Sequence, residues 1–267
     1  MKWLSGLITV GTFTILYYFE NKKPLRKEIE PGLTNTFRNL AIASVSGLVV
    51  NNLEKPVTDK LTKFTAENRF GLVKYLNLPK FIEDALAVIL LDYTLYIWHY
   101  LTHKSDFLWN FHKIHHADLD LKTSTAIRFH FVEMTLSIPW RAGQIILIGV
   151  SPRALKIWQT ALFMSVFFHH SNLKLPESFE KRLQKIITTP RLHGIHHSEI
   201  EDEMNSNWSS GLSIWDFIHG TFRDDIPQEQ IKIGVVGFEN KEDVRLINML
   251  LEPLIEEKSV NKLQISN

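Results

Sequence analysis

Trp98-His99-Tyr100-Leu101-Thr102-His103, His112-Lys113-Ile114-His115-His116 and His193-Gly194-Ile195-His196-His197 are the three stretches that decide how this chain is read. On a helix, positions i, i+3 and i+4 lie on one face. Each H-x-x-H-H is therefore expected to present three imidazoles to one point, and His99 and His103 to present two. A further pair, His169-His170, lies between them. Neutral imidazole ligates iron, zinc and copper. Two triads and a pair exceed what one ion can use, so the pattern predicts two metals with about four or five ligands each. A single H-x-x-x-H is an ordinary pair of surface histidines; the repetition is what carries weight here. Of 12 histidines, 11 fall between His99 and His197, where even scattering would put about 4.

Outward from these motifs the chain is apolar in long runs. Trp3 to Phe19 carries no charge and ends in Tyr17-Tyr18-Phe19, followed by Lys22, Lys23, Arg26 and Lys27. It reads as an uncleaved membrane anchor with an aromatic belt and a basic flank. Leu40 to Leu53 is a weaker run rich in small residues. Residues 54–80 read as a polar loop with an amphipathic stretch near Phe64 to Leu76. Ala85 to Leu101 holds one charge, Asp92. Met134 to Val150 holds Arg141 and Pro139, and Ala154 to Phe168 follows a Ser151-Pro152 turn, so these two form a helical hairpin. Four or five spans result. With the chain entering the cytoplasm after Phe19, every histidine cluster lands on that one side.

The fold class expected is thus all-α, with multi-pass membrane helices under a cytoplasmic, histidine-rich helical cap. Three segments follow. Residues 1–80 form an anchor and connection, 81–225 a catalytic region, and 226–267 a cytoplasmic tail. In the tail, Val244, Ile247, Leu250, Leu251 and Leu254 mark a surface amphipathic helix over Lys241 to Glu257. Thirty Lys and Arg against 29 Asp and Glu give +1, so no basic field points to nucleic acid. The absence of cysteine excludes disulfides, iron–sulfur clusters and thiolate ligands.

The order H-x-x-x-H, H-x-x-H-H, H-x-x-H-H resembles that of the sterol desaturase and fatty acid hydroxylase superfamily of membrane di-iron oxidoreductases. The flanks extend the likeness over about residues 83–222. They include Asp92-x-x-x-Tyr96-x-x-His99; Arg128-Phe129-His130-x-x-Glu133, with Phe131 in place of a usual proline; His170-Ser171-Asn172; and Asn207-Trp208 through Trp215-Asp216-x-x-x-Gly220-Thr221, with His219 where phenylalanine is usual. The resemblance implies nine ligands: His99, His103, His112, His115, His116, His170, His193, His196 and His197. It implies support of the ligands by Glu133, Asn207 and Asp216, with a helix or turn cap as the plainer role for Asp216. His130, His169 and His219 read as hydrogen-bonded supports rather than ligands. Asp92 lies seven residues before His99 on the same helix face. A carboxylate in an apolar span is costly unless paired, so it is expected to accept a hydrogen bond from a ligand histidine and fix its tautomer.

The activity implied is O2-dependent hydroxylation or desaturation of a lipid C–H bond, with two iron ions as cofactor and zinc able to replace them. No flavin or nicotinamide fingerprint is present, so electrons would come from a cytochrome, ferredoxin or reductase. Two other classes share the motifs. A metal transporter needs ligands along the spans, and an inactive zinc-holding membrane protein needs the ligands but no turnover.

Overall fold

The structure, a computed structural model, describes residues 2–255. Among these there is no β-strand, only three isolated bridges. The long run at the start forms α1, Lys2–Lys22. Helix α2, Thr34–Val49, passes through a π-helical turn at Val50–Glu54 into α3, Lys55–Glu67. Pro56 explains the turn. It has no N–H, and its ring crowds the carbonyl four residues back; widening to the Lys55 N–H to Val50 carbonyl bond absorbs it. The polar loop expected at 54–80 is therefore largely helix, a correction. Its Thr58, Thr62 and Thr65 are buried, with hydroxyls returned to helix carbonyls or, for Thr65, to the Val150 carbonyl at 2.6 Å.

A short turn, α4 (Leu72–Tyr75), leads to α5, Lys80–Lys104, and α6, Asp106–His116. The apolar hairpin is realised as α7, Phe131–Ile148, and α8, Pro152–His170. It is closed by Gly149 at φ +84 and by the Ser151 side chain accepting from the Ala154 N–H. Gly149 meets Gly71 backbone to backbone, so a side chain at Gly71 would collide with it. Short helices follow: α9 (Glu177–Leu183), α10 (Pro190–His196), α11 (Glu201–Met204), α12 (Ile214–His219) and α13 (Leu246–Leu251).

Helices α1, α5 and α8 run toward one end of the bundle, and α2–α3 and α7 run away from it. Glu20 fixes the first end by accepting from the Thr123 and Asn172 N–H groups, both at 2.9 Å. Ser151 and Asp84 fix the other at 2.6 Å. The core between α5, α7 and α8 holds Ala87, Leu91, Ile145, Leu155 and Trp158. A second core joins Ile42 to Ile114, Val244 and Met249.

No helix among the described residues is long and apolar enough to cross a membrane. Asp92 interrupts α5, Arg141 and Gln144 interrupt α7, and hydroxyl and aromatic residues dilute α1 and α8. The helices do display large apolar side chains outward: Trp3 is 89% exposed, Leu7 70% and Leu147 73%. The tail also departs from expectation. Its helix is one short element, α13, which buries Met249, beside Val244 of the preceding turn, against α2 and α6, while Ile247, Leu251 and Leu254 are exposed. Glu256 and Glu257 lie outside the described residues.

Candidate metal centre

All three histidine motifs arrive at the same end of the bundle. His99 and His103 close α5, His112, His115 and His116 close α6, His170 closes α8, and His193 and His196 sit on α10, with His197 next. Eight of them form two groups of four whose ring nitrogens lie within 4.8 Å of one another. One group is His99, His103, His116 and His196; the other is His115, His170, His193 and His197. This corrects the expectation that each H-x-x-H-H serves one point. His115 and His116 part company, and so do His196 and His197. Neighbours on a helix differ by about 100° in direction, so adjacent histidines straddle two sites lying side by side.

The hydrogen bonds fix which nitrogen is free. His99 Nδ1 donates to the Trp208 carbonyl at 2.7 Å, His196 Nδ1 to the Ser206 carbonyl at 2.8 Å, and His170 Nδ1 to the Val166 carbonyl at 2.8 Å. A carbonyl only accepts, so in each ring Nδ1 carries the proton and Nε2 keeps its lone pair. Yet His99 Nε2 and His196 Nε2 face each other at 3.0 Å. In the other group His170 Nε2 lies 3.0 Å from both His115 Nε2 and His193 Nε2, and one neutral ring can answer only one of them as donor at a time. Protonation does not relieve these contacts. Burial first, and neighbouring imidazoles after it, hold His115, His116, His193 and His197 well below the ordinary imidazole range and push His170 and His196 down to about 3. Converging lone pairs in a dry site call for a cation. The donor set, all imidazole, fits a transition metal in each group.

His112 belongs to neither group of four. Its Nδ1 donates to Glu133 Oε1 at 2.8 Å, and its Nε2 is buried without a partner. Its ring centre lies 5.0–5.3 Å from those of His99, His103, His115 and His116, between the two groups. His169 is fully buried, with neither ring nitrogen bonded and its ring centre 4.1 Å from that of His193. His130 is a helix cap. It accepts from the Val132 N–H and donates to the Leu250 carbonyl, each at 3.2 Å. His219 is exposed and stacks on Tyr96.

The supporting residues divide. Glu133 touches a histidine, as above. Asp216 acts at one remove: it accepts from the Trp208 N–H at 2.9 Å, the Ser209 N–H at 3.1 Å and the Thr221 hydroxyl at 2.7 Å, and so holds the peptide whose carbonyl receives His99. Asn207, at φ +52, bonds the Leu192 and Arg223 carbonyls and the Arg223 N–H. It thereby ties this loop to α10. Asp92 does not contact a histidine, which corrects its expected role. Its Oδ2 accepts from the Trp215 indole at 2.7 Å and the Leu212 N–H at 3.0 Å. These partners come about 120 residues later, invisible from the helix face alone.

The sequence assigned no role to three further supports. Asp118, just past the second motif, is fully buried and accepts from Asn35, Asn39 and Thr125 at 2.6–2.7 Å. The fully buried Arg128 donates to the Ile114 carbonyl at 2.8 Å. Arg26 lies against Gly194 between two ligand candidates, donating to the Pro190 carbonyl at 2.5 Å. The backbone acceptors of Ser206 and Trp208 leave no side-chain signal at all.

Set beside known proteins, residues 85–221 match the fatty acid hydroxylase family model, just over half the chain. The chain belongs to the fatty acid hydroxylase family. Among similar proteins, an ornithine lipid hydroxylase, OlsE, of Rhizobium tropici is 26% identical over 252 residues, covering 89% of this chain and 72% of that protein. The alkylglycerol monooxygenases of Xenopus tropicalis and Homo sapiens are 28% and 27% identical, over 54% and 51% of this chain but only 31% and 29% of their own lengths. No solved structure matches.

Proposed function

We propose that the chain is a membrane-bound, O2-dependent hydroxylase or desaturase of a lipid, working with two iron ions. The observation that carries this is the pair of buried four-imidazole groups whose ring nitrogens converge, at one end of a bundle with apolar outer faces. The named activities of the relatives, on ornithine lipid and on alkylglycerols, support a polar lipid as substrate. The balance for hydroxylation is R–H + O2 + two electrons + two protons giving R–OH and water.

In this reading His99, His103, His116 and His196 hold one ion, His115, His170, His193 and His197 the other, and His112 completes the set from between them. Iron so held supplies O2 activation and removal of hydrogen from an unactivated C–H bond. The protein's part is position. Carbonyls of Trp208, Ser206 and Val166 fix three rings, and Glu133 fixes the orientation of His112 by accepting from its Nδ1. Burial keeps bulk water from the reacting carbon. Electrons come from a separate cytochrome, ferredoxin or reductase. Residues 81–225 carry the chemistry, with 1–80 as anchor and 226–267 as tail. The outward apolar side chains of α1, α2, α5, α7 and α8 meet the bilayer in a multi-pass arrangement, with the histidine end at the cytoplasmic face. The eight grouped histidines gather at one end of the bundle instead of following its length, which speaks against a metal pathway through it.

The test is iron-loaded, detergent-purified protein with a chemical reductant, a polar lipid extract and labelled O2. A lipid gaining one labelled oxygen, or losing two hydrogens, with matched O2 uptake supports the proposal. Two bound metals with no lipid product and no O2 uptake across the extract would overturn it in favour of an inactive zinc-holding protein.

A further inference from the structure

The last turn of α1 and the segment opening α9 are joined, although some 150 residues separate them. Pro24 bridges Leu173, the Leu25 N–H donates to the Asn172 carbonyl at 2.7 Å, and the Lys174 N–H to the Lys23 carbonyl at 2.8 Å. This junction brings Lys22 and Lys23 beside Lys174, and Arg182 and Lys185 follow Lys174 along the same surface segment. Lys22, Lys23, Lys174, Arg182 and Lys185 are all exposed, and none has a carboxylate within salt-bridge distance among the described residues. Lys181, beside them, is paired with Glu177, and Gln184 draws Asp224 to the edge of the group. The surface therefore keeps a clear positive excess. Large apolar side chains stand among the charges: Phe19 and Tyr18 on α1, Phe179, 50% exposed, on α9, and Ile186, 63% exposed, after it.

We propose that this junction is a docking surface for anionic phospholipid headgroups. The proposal rests on the reading of the chain as a membrane protein and adds a lipid preference to it. Three observations select a lipid layer over an acidic protein. The aromatic and aliphatic side chains are interleaved with the cations, the combination that lets a surface sit at a headgroup layer. The patch continues the outward apolar face of α1, from Trp3 through Leu7 and Ile15 to Tyr18. Lys22 lies over the Tyr18 ring at 5.8 Å, the snorkelling arrangement of an interfacial anchor. A basic patch near a membrane gains about fivefold in binding per cation from anionic lipid, and the gain fades with salt. The patch is at the same end of α1 as Glu20, whose carboxylate holds the Asn172 N–H two residues past His170. Docking there seats the metal end of the bundle at the headgroup layer.

The test uses the full chain in mixed micelles of a neutral detergent. Fluorescent phosphatidylglycerol is displaced by unlabelled phosphatidylglycerol or by phosphatidylcholine, at low and high salt. Phosphatidylglycerol is expected to compete at least tenfold better at low salt and about equally at high salt. Lys23→Glu, Lys174→Glu and Lys185→Glu together should abolish the difference, with phosphatidylcholine affinity and metal content unchanged. The corresponding triple glutamine variant should fall between. Equal competition by the two lipids in the parent protein overturns the proposal and leaves the membrane reading intact. A preference that survives the triple variant also overturns it. If the variant keeps the lipid preference but loses coupling to an acidic ferredoxin, the surface serves a redox partner instead. A chain that binds neither lipid and stays monomeric without detergent overturns the membrane reading itself.

Discussion

Glu133→Gln isolates what one carboxylate does for the centre. Glu133 Oε1 accepts from His112 Nδ1 at 2.8 Å, and both side chains are 3% exposed. Glutamine keeps the size and an acceptor oxygen and removes the negative charge. A hydrogen bond to a charged group contributes about 1.5–3 kcal/mol and a neutral one about 0.5–1.5. The difference, about 1–1.5 kcal/mol, corresponds to roughly a tenfold loss of metal affinity, the lower end of the 10–100-fold typical for such partners. Glu133→Ala should cost more, because the buried His112 N–H is then left with no acceptor, a further ~1–3 kcal/mol. The assay is chelator competition on metal-free protein reloaded with zinc, which needs no redox control, and then with ferrous iron. A double-mutant cycle completes it. If Glu133 acts through His112, adding Glu133→Gln to His112→Ala should remove nothing further. Full affinity in Glu133→Gln, or losses that add in the double variant, would refute the assignment of Glu133 as the residue that positions His112.

The division of the motifs predicts that His196→Ala and His193→Ala each lower metal content from two ions toward one. Combining them should lower it toward none, read by elemental analysis, whereas equal loss of both ions from either single variant would contradict two separate groups. Asp92→Asn should keep full metal content and lose about 1 kcal/mol of stability in thermal unfolding, since its partners are Trp215 and Leu212 rather than a histidine. Asp118→Ala should be far worse, about 3–5 kcal/mol, because it leaves buried Arg128 without its nearby carboxylate; stability within 1 kcal/mol of the parent in urea unfolding would show that the network is redundant. For the metal-free protein, unfolded imidazoles take up protons near pH 6.5 while the buried rings do so only far lower, His196 at about 3. Above about 6.5 both states are neutral and these groups contribute nothing, so stability should fall steadily as pH drops below that value. A urea midpoint unchanged from pH 7.5 to 5 would count against burial of the empty rings.

What the sequence could show depended on how far each contact reaches along the chain. The histidine motifs are local, so their spacing alone pointed to imidazoles gathered on helix faces. The division between two groups was not local. Position i+3 and position i+4 both lie on the inner face, and only the packing of α5, α8 and α10 against α6 reveals that the face looks onto two sites. Asp92 shows the same limit from the other side. Its place in an apolar helix correctly demanded a partner, and His99 was the nearest candidate by helix geometry. The partner that folding supplied was the turn at Leu212 and Trp215, whose own neighbour Asp216 then does for His99, through the Trp208 peptide, what Asp92 was expected to do directly. The support is therefore relayed through backbone. Three of the rings are aimed by carbonyl groups that any residue carries, those of Val166, Ser206 and Trp208, so their aim depends on the shape of the last turn of α8 and of the loop from Ser206 to Asp216.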